Sequence, residues 1–291
     1  MAASYHVVHG APIDLFNAPI TEAPLILDTR SKESFYAAHV SGAVRCLSLA
    51  DLQSKLTAPD APWDTSCALR QIYVIGDTSV YPPLVYELQE HDIDIGYTTR
   101  RPGSIVYLGD FHAFDVQFPM LVSRNTLARF DDRSSLASMD VFYPSMIAEW
   151  GLYLGSVSQA SSRAVLSDLN ISLVINVSIE VPNFFESSSG IDYVRLAVED
   201  TNAQDMTEAW QTSCAAIRKA KECRRQVLVH CHAGRSRSVS CIVFFLMQCE
   251  RMRLDDAFRY VQARRAQARP NAGFMRQLLI VDNAATTTWS Q

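Results

Sequence analysis

The sequence predicts an α/β protein of two domains. Three observations carry that reading: a length of 291 residues, beyond one typical domain; two sets of short apolar runs; and helix-period segments between them. In the first set, Leu25-Ile-Leu27, Ile72-Tyr-Val-Ile75 and Ile105-Val-Tyr-Leu108 have the length and composition of buried strands. Helical candidates lie between them, one starting near Ser31 and one over residues 82–90, whose prolines suit a first turn. Such alternation implies a layered domain with a largely parallel sheet. A polar stretch over residues 123–139, with Arg124, Arg129, Asp131, Asp132 and Arg133, reads as a connection.

The second set opens near Ile147 and contains the strands Leu173-Val-Ile-Asn-Val177 and Gln226-Val-Leu-Val-His-Cys231. Between them Trp210, Cys214 and Ile217 share one helical face, and Asp205 with Glu208 forms a capping pair ahead of it. Leu254, Phe258 and Val261 mark another helix, with Asp255 and Asp256 in its first turn; Phe274, Leu278 and Val281 mark the last.

Composition narrows the function classes. The chain is 48% hydrophobic and 20% charged, which excludes a disordered or fibrous protein. Its longest apolar run, residues 241–247, is far short of the roughly 18 residues that span a bilayer. The first ten residues lack the basic start and apolar stretch of a secretory signal. Seven cysteines without framework spacing point to a reducing compartment, so a cytoplasmic or nuclear location is expected. Net charge is −5, yet residues 218–276 carry fourteen Lys/Arg against four acids. A basic region in an acidic protein suits an anionic ligand, and the overall balance argues against nucleic acid.

The chemistry is concentrated in His230-Cys-His-Ala-Gly-Arg-Ser-Arg-Ser238, placed between a buried strand and a helix over residues 238–247. A loop so placed aims backbone N–H groups and a positive helix end at one centre, a site for an anion. The same field favours a thiolate at Cys231, whose pKa is expected well below the ~8.5 of a free cysteine. Arg237 has the planar fork to grip two phosphoryl oxygens, and Gly234 permits a turn that a side chain would obstruct. Metal ligation by His230, Cys231 and His232 is disfavoured, because neighbouring strand residues face opposite ways and no second cluster has zinc spacing.

His230-Cys-x-x-Gly-x-x-Arg-Ser238 resembles the signature of the cysteine-dependent protein tyrosine phosphatases, specifically the dual-specificity group. Gly151-Leu-Tyr-Leu-Gly-Ser156 is similar to that domain's opening strand, and Arg269-Pro-Asn-Ala-Gly-Phe274 with Gln277-Leu278 to its closing helix. The resemblance implies a phosphocysteine formed on Cys231, with no cofactor and no metal. By the same resemblance Arg237 and the loop residues His232, Ala233, Gly234, Arg235 and Ser236 bind the phosphoryl group, and Ser238 donates to the leaving thiolate. It also implies that Asp200, in Val198-Glu-Asp-Thr201, is the general acid, with His230 and Asn271 in support. Glu199 and Asp205 are the rivals for the acid. Arg235 stands where the family usually has an apolar residue.

In the first domain, Leu27-Asp-Thr-Arg30, Phe35, His39-Val-Ser-Gly-Ala43 and Tyr107-Leu-Gly-Asp-Phe111 resemble a rhodanese-like domain. A sulfurtransferase of that family needs a cysteine in the loop after Ile75, and Gly76-Asp-Thr-Ser-Val80 has none, so this domain is expected to be inactive. The expected boundaries are residues 10–122 for the rhodanese-like domain, 123–144 for the connection and 145–291 for the phosphatase domain. That order resembles the mitogen-activated protein kinase phosphatases and the serine/threonine/tyrosine-interacting-like subgroup. It implies a phosphorylated protein substrate, such as a kinase docked on the first domain through basic residues, for which Arg45, Lys55 and Arg100-Arg101 are the candidates. A phosphate-binding adaptor and a phosphoinositide phosphatase are the alternatives.

Overall fold

A computed structural model of the chain describes residues 7–18, 25–41, 43–56, 71–76, 81–90, 104–124, 142–186 and 190–289. The chain divides into two compact units, Met1–Asp140 and Val141–Gln291. Residues 77–80, Cys67, the Arg100-Arg101 pair and residues 125–141 of the expected connection lie outside the described residues.

The first unit is built from β1 (Val7–His9), α1 (Pro12–Phe16), β2 (Leu25–Asp28), α2 (Lys32–Ala37), β3 (Ala38–Val40), β4 (Val44–Arg45), α3 (Leu49–Leu56), β5 (Gln71–Ile75), α4 (Pro83–Glu90), β6 (Ser104–Leu108), α5 (Phe111–Gln117) and β7 (Val122–Arg124). Its five-stranded sheet has the order β1-β6-β5-β2-β4, with every pairing parallel. Strands in such a sheet are covered on both faces, which is why they read as continuous apolar runs. Leu25, Leu27, Ile72 and Val74 join Leu52, Leu84 and Leu88 in one core, whereas Tyr73, on the alternate face, donates to the Asp14 carbonyl (3.2 Å). The resemblance motif Leu27-Asp-Thr-Arg30 ties strand ends together. Thr29 bonds the Ile75 carbonyl through its amide (2.9 Å) and hydroxyl (2.8 Å). Arg30 pairs with the fully buried Asp28 (2.6 Å) and lies 3.4 Å from the centre of the Phe111 ring.

One boundary departs from the sequence reading. Ser123 and Arg124, expected in the connection, belong to β7, which pairs antiparallel with β3. Ser123 bonds Ser41 (2.9 Å) and Arg124 pairs with Asp115, contacts from distant positions that local polarity does not reveal.

The second unit contains β8 (Ser145–Ala148), β9 (Leu152–Gly155), α6 (Val157–Ala160), α7 (Arg163–Asp168), β10 (Ile171–Val177), β11 (Asp192–Leu196), α8 (Thr207–Glu222), β12 (Gln226–His230), α9 (Arg237–Cys249), α10 (Leu254–Arg264) and α11 (Ala272–Trp289). The sheet order is β11-β10-β12-β9-β8; β9 through β12 run parallel and only β8 is antiparallel. Leu173, Ile175, Val227 and Val229 face the core shared with α8 to α11, while Val174, Leu228 and Tyr153 turn to the opposite face. The run 241–247 belongs to α9, which is buried from Arg237 to Met247 because α8, α10 and α11 pack around it against the sheet. Trp210 stacks on Phe244 and donates its Nε1–H to Ser240 (3.0 Å), so the largest core side chain is also polar-satisfied.

Helix α8 starts differently from expectation. Its N-cap is Met206, and Asp205 lies one residue outside, accepting from the Thr207 amide (2.9 Å) and hydroxyl (2.7 Å) instead of forming a capping box with Glu208. The Met206 amide is taken by Gln277 of α11 (3.0 Å), a tertiary partner that sets the start of the helix.

At the other end of the unit, buried Asp282 accepts a two-point fork from Arg253 (2.7 and 3.0 Å) and the Leu254 amide (3.1 Å). The Arg253 hydrogen bonds hold this carboxyl below its ordinary value. Its stabilisation is therefore complete above the unfolded value of about 3.9 and is lost as pH falls through the folded value. Replacing Asp282 with Asn is expected to cost about 1–3 kcal/mol at pH 7. Urea unfolding at pH 7 and pH 3 checks this, with the gap between variants closing at the lower pH.

Candidate active site

Four parallel strands deliver their C-terminal ends to one edge of the second sheet, where ligands of open α/β sheets bind. From β9 comes Gly155, from β10 the turn carrying Glu180, from β11 the loop carrying Asp200, and from β12 Cys231.

The loop after β12 is shaped by what pulls on its carbonyl groups. The oxygen of His232 accepts from the Val157 amide (3.0 Å), that of Gly234 from Arg265 Nε (2.7 Å), and that of Arg235 from the Arg269 amide (2.7 Å). Across each planar trans peptide the next N–H points the opposite way. The amides of Ala233, Arg235 and Ser236 therefore face away from those three partners, in the orientation an anion requires. Gly234 has φ +64°, and a Cβ there would lie 2.3 Å from the Gly155 carbonyl oxygen. Both conformation and space demand glycine.

Cys231 is buried, and its Sγ receives a hydrogen bond from Ser238 Oγ (3.2 Å) in the first turn of α9. His232, Ala233 and Arg235 are exposed on the rim, whereas Gly234, Ser236, Arg237 and Ser238 are buried. His230 is fully buried, and its Nδ1 lies 3.3 Å from the Cys231 carbonyl, a contact in which the nitrogen must carry the hydrogen. Burial pushes this imidazole down to about 4, so it is neutral at physiological pH.

Asp200 is fixed by both neighbours that the sequence motifs supply. Its Oδ1 accepts from Ser236 Oγ (2.6 Å) and from Asn271 Nδ2 (2.9 Å). With Oδ1 saturated, Oδ2, 3.7 Å from Arg237 Nε, is the oxygen left to carry a proton. The Asp200 loop is anchored on α11: Asn202 Oδ1 accepts from the Gly273 amide (3.0 Å), and Gln277 Nε2 donates to the Gln204 carbonyl (2.8 Å). Glu199 is exposed, with its amide on Gln204 Oε1 (3.1 Å), and Asp205 is occupied with Thr207. The structure thus brings Cys231, Arg237, Ser238, Asp200, Ser236 and Asn271 together. The side chain of Ser236 points at Asp200, so toward an anion this residue offers its backbone.

Two residues that the motifs did not single out also belong here. Glu180 forms a two-point ion pair with Arg237 (2.6 and 2.7 Å), which holds the Glu180 carboxyl down at about 2. Burial is the largest influence on Arg237 and opposes its charge, but the Glu180 hydrogen bonds together with the neighbouring Cys231, Glu180 and Asp200 outweigh it and raise the guanidinium above its ordinary value. Arg265, at the end of α10, lies buried behind the loop on the Gly234 carbonyl; burial lowers it to about 10, and it stays charged at neutral pH. Within the basic stretch Arg265 looks like its neighbours, because only packing reveals which arginine turns inward. Among the thiols, Cys241 is a core residue pushed up to about 12 by burial, and Cys249 Sγ lies 3.6 Å from Cys214 Sγ.

Two outcomes are expected from this geometry. Replacing Gly234 with Ala should abolish phosphate binding in a calorimetric titration while the protein remains folded by circular dichroism. Stability of the second unit should fall as pH drops from about 6.5 toward 4, because unfolding then releases His230 to take up a proton. A His230→Gln variant should flatten that part of the pH–stability curve.

Comparison with known proteins agrees with the site. Residues 152–284 match the dual specificity phosphatase catalytic domain family. Dual specificity protein phosphatase 4 of Rattus norvegicus is 40% identical over 137 residues, 47% of this chain and 34% of that protein. The Gallus gallus protein of that name is 33% identical over 192 residues, 62% of this chain and 51% of its own length. The chain thus spans between a third and a half of the curated relatives it matches. The crystal structure of human DUSP28 aligns at 31% identity over 49% of this chain and 95% of that one, with a TM-score of 0.46. Residues 152–284 of this chain are a dual specificity phosphatase catalytic domain.

Proposed function

We propose that this protein is a cysteine-dependent phosphatase that hydrolyses phosphotyrosine and phosphoserine/threonine on a protein substrate. The observation that carries the reading is Cys231, seated at the C-terminal end of β12 beneath a loop whose carbonyls are drawn outward, with Ser238 on its sulfur. A pure phosphate binder has no use for a thiolate there.

In the first step the Cys231 thiolate attacks phosphorus, an S–P bond forms and the ester P–O bond breaks. The leaving oxygen takes the proton from Asp200, whose Oδ2 is the free oxygen. Loop amides from His232 to Ser236 and the fork of Arg237 hold the phosphoryl oxygens. In the second step water attacks phosphorus, Asp200 takes back a proton, and the S–P bond breaks. Ser238 donates to the departing thiolate, and inorganic phosphate is released. Asn271 supports this by orienting Asp200, and His230 by holding the loop from beneath.

The first unit is read as a catalytically inactive rhodanese-like domain running from residue 10 through β7, joined through residues 125–144 to a phosphatase domain over 145–291. Its parallel sheet and the Asp28–Arg30 pair within the resemblance motif support that reading. The relatives' name, dual specificity protein phosphatase, supports a phosphorylated protein as substrate. A mitogen-activated protein kinase held by the first unit is the partner to test, in the cytoplasm or nucleus. No helix among the described residues is long and apolar enough to cross a membrane.

Phosphate release from a doubly phosphorylated kinase activation-loop peptide, run beside an aryl phosphate, tests the proposal. Activity on both should vanish in Cys231→Ser, and Asp200→Asn should slow turnover about 100-fold or more. Turnover of the aryl phosphate alone would keep the chemistry and reject the protein substrate. Silence on both would make the protein a phosphate-binding adaptor.

A further inference from the structure

The mechanism asks Arg237 to present two N–H groups to the phosphoryl group, yet a guanidinium has five and can turn several edges toward a ligand. The structure shows which are already engaged. Nη1 donates to Glu180 Oε2 (2.7 Å) and to the Val198 carbonyl (3.2 Å), and Nη2 donates to Glu180 Oε1 (2.6 Å). That uses the end-on edge and the outer hydrogen of Nη1. What remains is the side-on pair, Nε–H with the outer hydrogen of Nη2. Nε is buried and has no hydrogen-bond partner among the described residues; the carboxylate facing it, Asp200 Oδ2, stays at 3.7 Å, beyond hydrogen-bond reach.

Glu180 is itself held in place. Its turn follows β10 and is tied at several points: Ser178 Oγ accepts from the Val181 amide (3.0 Å), buried Asn176 donates to the Val181 carbonyl (2.8 Å), and Arg195 donates to the Ile179 carbonyl (2.9 Å). The Ile179 amide donates in turn to Val198 (3.3 Å), the residue whose carbonyl also accepts from Arg237. Glu180 is itself exposed, but the backbone that carries it is bonded on both sides and both of its carboxylate oxygens are engaged by the buried Arg237, so the carboxylate is held in place.

We propose that Glu180 is the positioning residue for Arg237. By occupying the end-on edge of the guanidinium, it turns the Nε–Nη2 edge toward the phosphoryl group bound over Cys231. The inference rests on the phosphatase reading for its substrate, but its content is the orientation of an anion-binding arginine. The competing role has the opposite sign. If Glu180 merely neutralised Arg237 and had to be displaced by substrate, removing it would tighten anion binding.

The test is calorimetric titration with inorganic phosphate in the Cys231→Ser background, with aryl phosphate kinetics on the otherwise unaltered protein. Glu180→Ala should weaken phosphate binding and lower kcat/KM, each about 10-fold, with Glu180→Asp recovering part of both. In an Arg237→Ala background, Glu180→Ala should have no further effect on kcat/KM, since the positioned group is gone. A residue that only braces its own loop would lower the unfolding temperature and cost the same factor in both backgrounds, and that result overturns the proposal. Unchanged or tighter phosphate binding overturns it as well. If the native protein fails to turn over aryl phosphate, the phosphatase reading falls while the phosphate titration still decides the role of Glu180. Failure of Cys231→Ser to bind phosphate at all would reject both.

Discussion

The outward pull on three carbonyl groups is the constraint from which the rest of the site follows. Backbone amides attract an anion only when their own carbonyls are turned away and satisfied elsewhere. Here the three partners come from two distant parts of the chain: the Val157 amide at the start of α6, and the Arg265 side chain and Arg269 amide in the segment after α10. None is near the loop in sequence. The fold of the second unit therefore does more than expose Cys231, since it supplies the bonds that keep the loop turned inside out. Gly234 permits the close approach to the Gly155 carbonyl and to Arg265 on which those bonds depend.

Around that loop the charges are arranged in a chain. Arg265 lies behind it and Arg237 beside it; Glu180 pairs with Arg237, and Asp200 bonds the loop's own Ser236 while lying 3.7 Å from Arg237. Each buried cation has a specific acceptor, as low-dielectric surroundings require. The two carboxylates approach different edges of one guanidinium. Glu180 takes two strong hydrogen bonds there, whereas Asp200 stays at 3.7 Å and spends its bonds on Ser236 and Asn271. This division separates a group that orients from a group that can exchange a proton.

The scaffold beneath is stiff. α9 carries Arg237 and Ser238 in its first turn and is buried along most of its length, so neither residue can move without disturbing the core. Asp200 rides on a loop, yet Asn202, Gln204 and Asn271 bond that loop to α11 or to its start. α11 in turn is tied to α10 by the Arg253–Asp282 pair, which links the far end of the domain to the acid loop through a single helix.

What the sequence by itself determined is whatever depends on short separations. The strand–loop–helix setting of Cys231, Gly234, Arg237 and Ser238 lies within nine residues, and apolar periodicity is enough to place it between β12 and α9. The alternating runs likewise foretold two α/β units, and the Arg269–Phe274 motif pointed to Asn271. Tertiary structure decided everything that needs partners far apart in the chain. Glu180 meets Arg237 across 57 positions and Arg265 meets Gly234 across 31. Ser123 enters a strand by pairing with His39, and Gln277 sets the start of α8. Local pattern is blind to such contacts, because their partners are adjacent only in the folded chain: the site pairs where parallel strands bring their C-terminal loops to one edge, the others where β7 meets β3 and α11 meets α8.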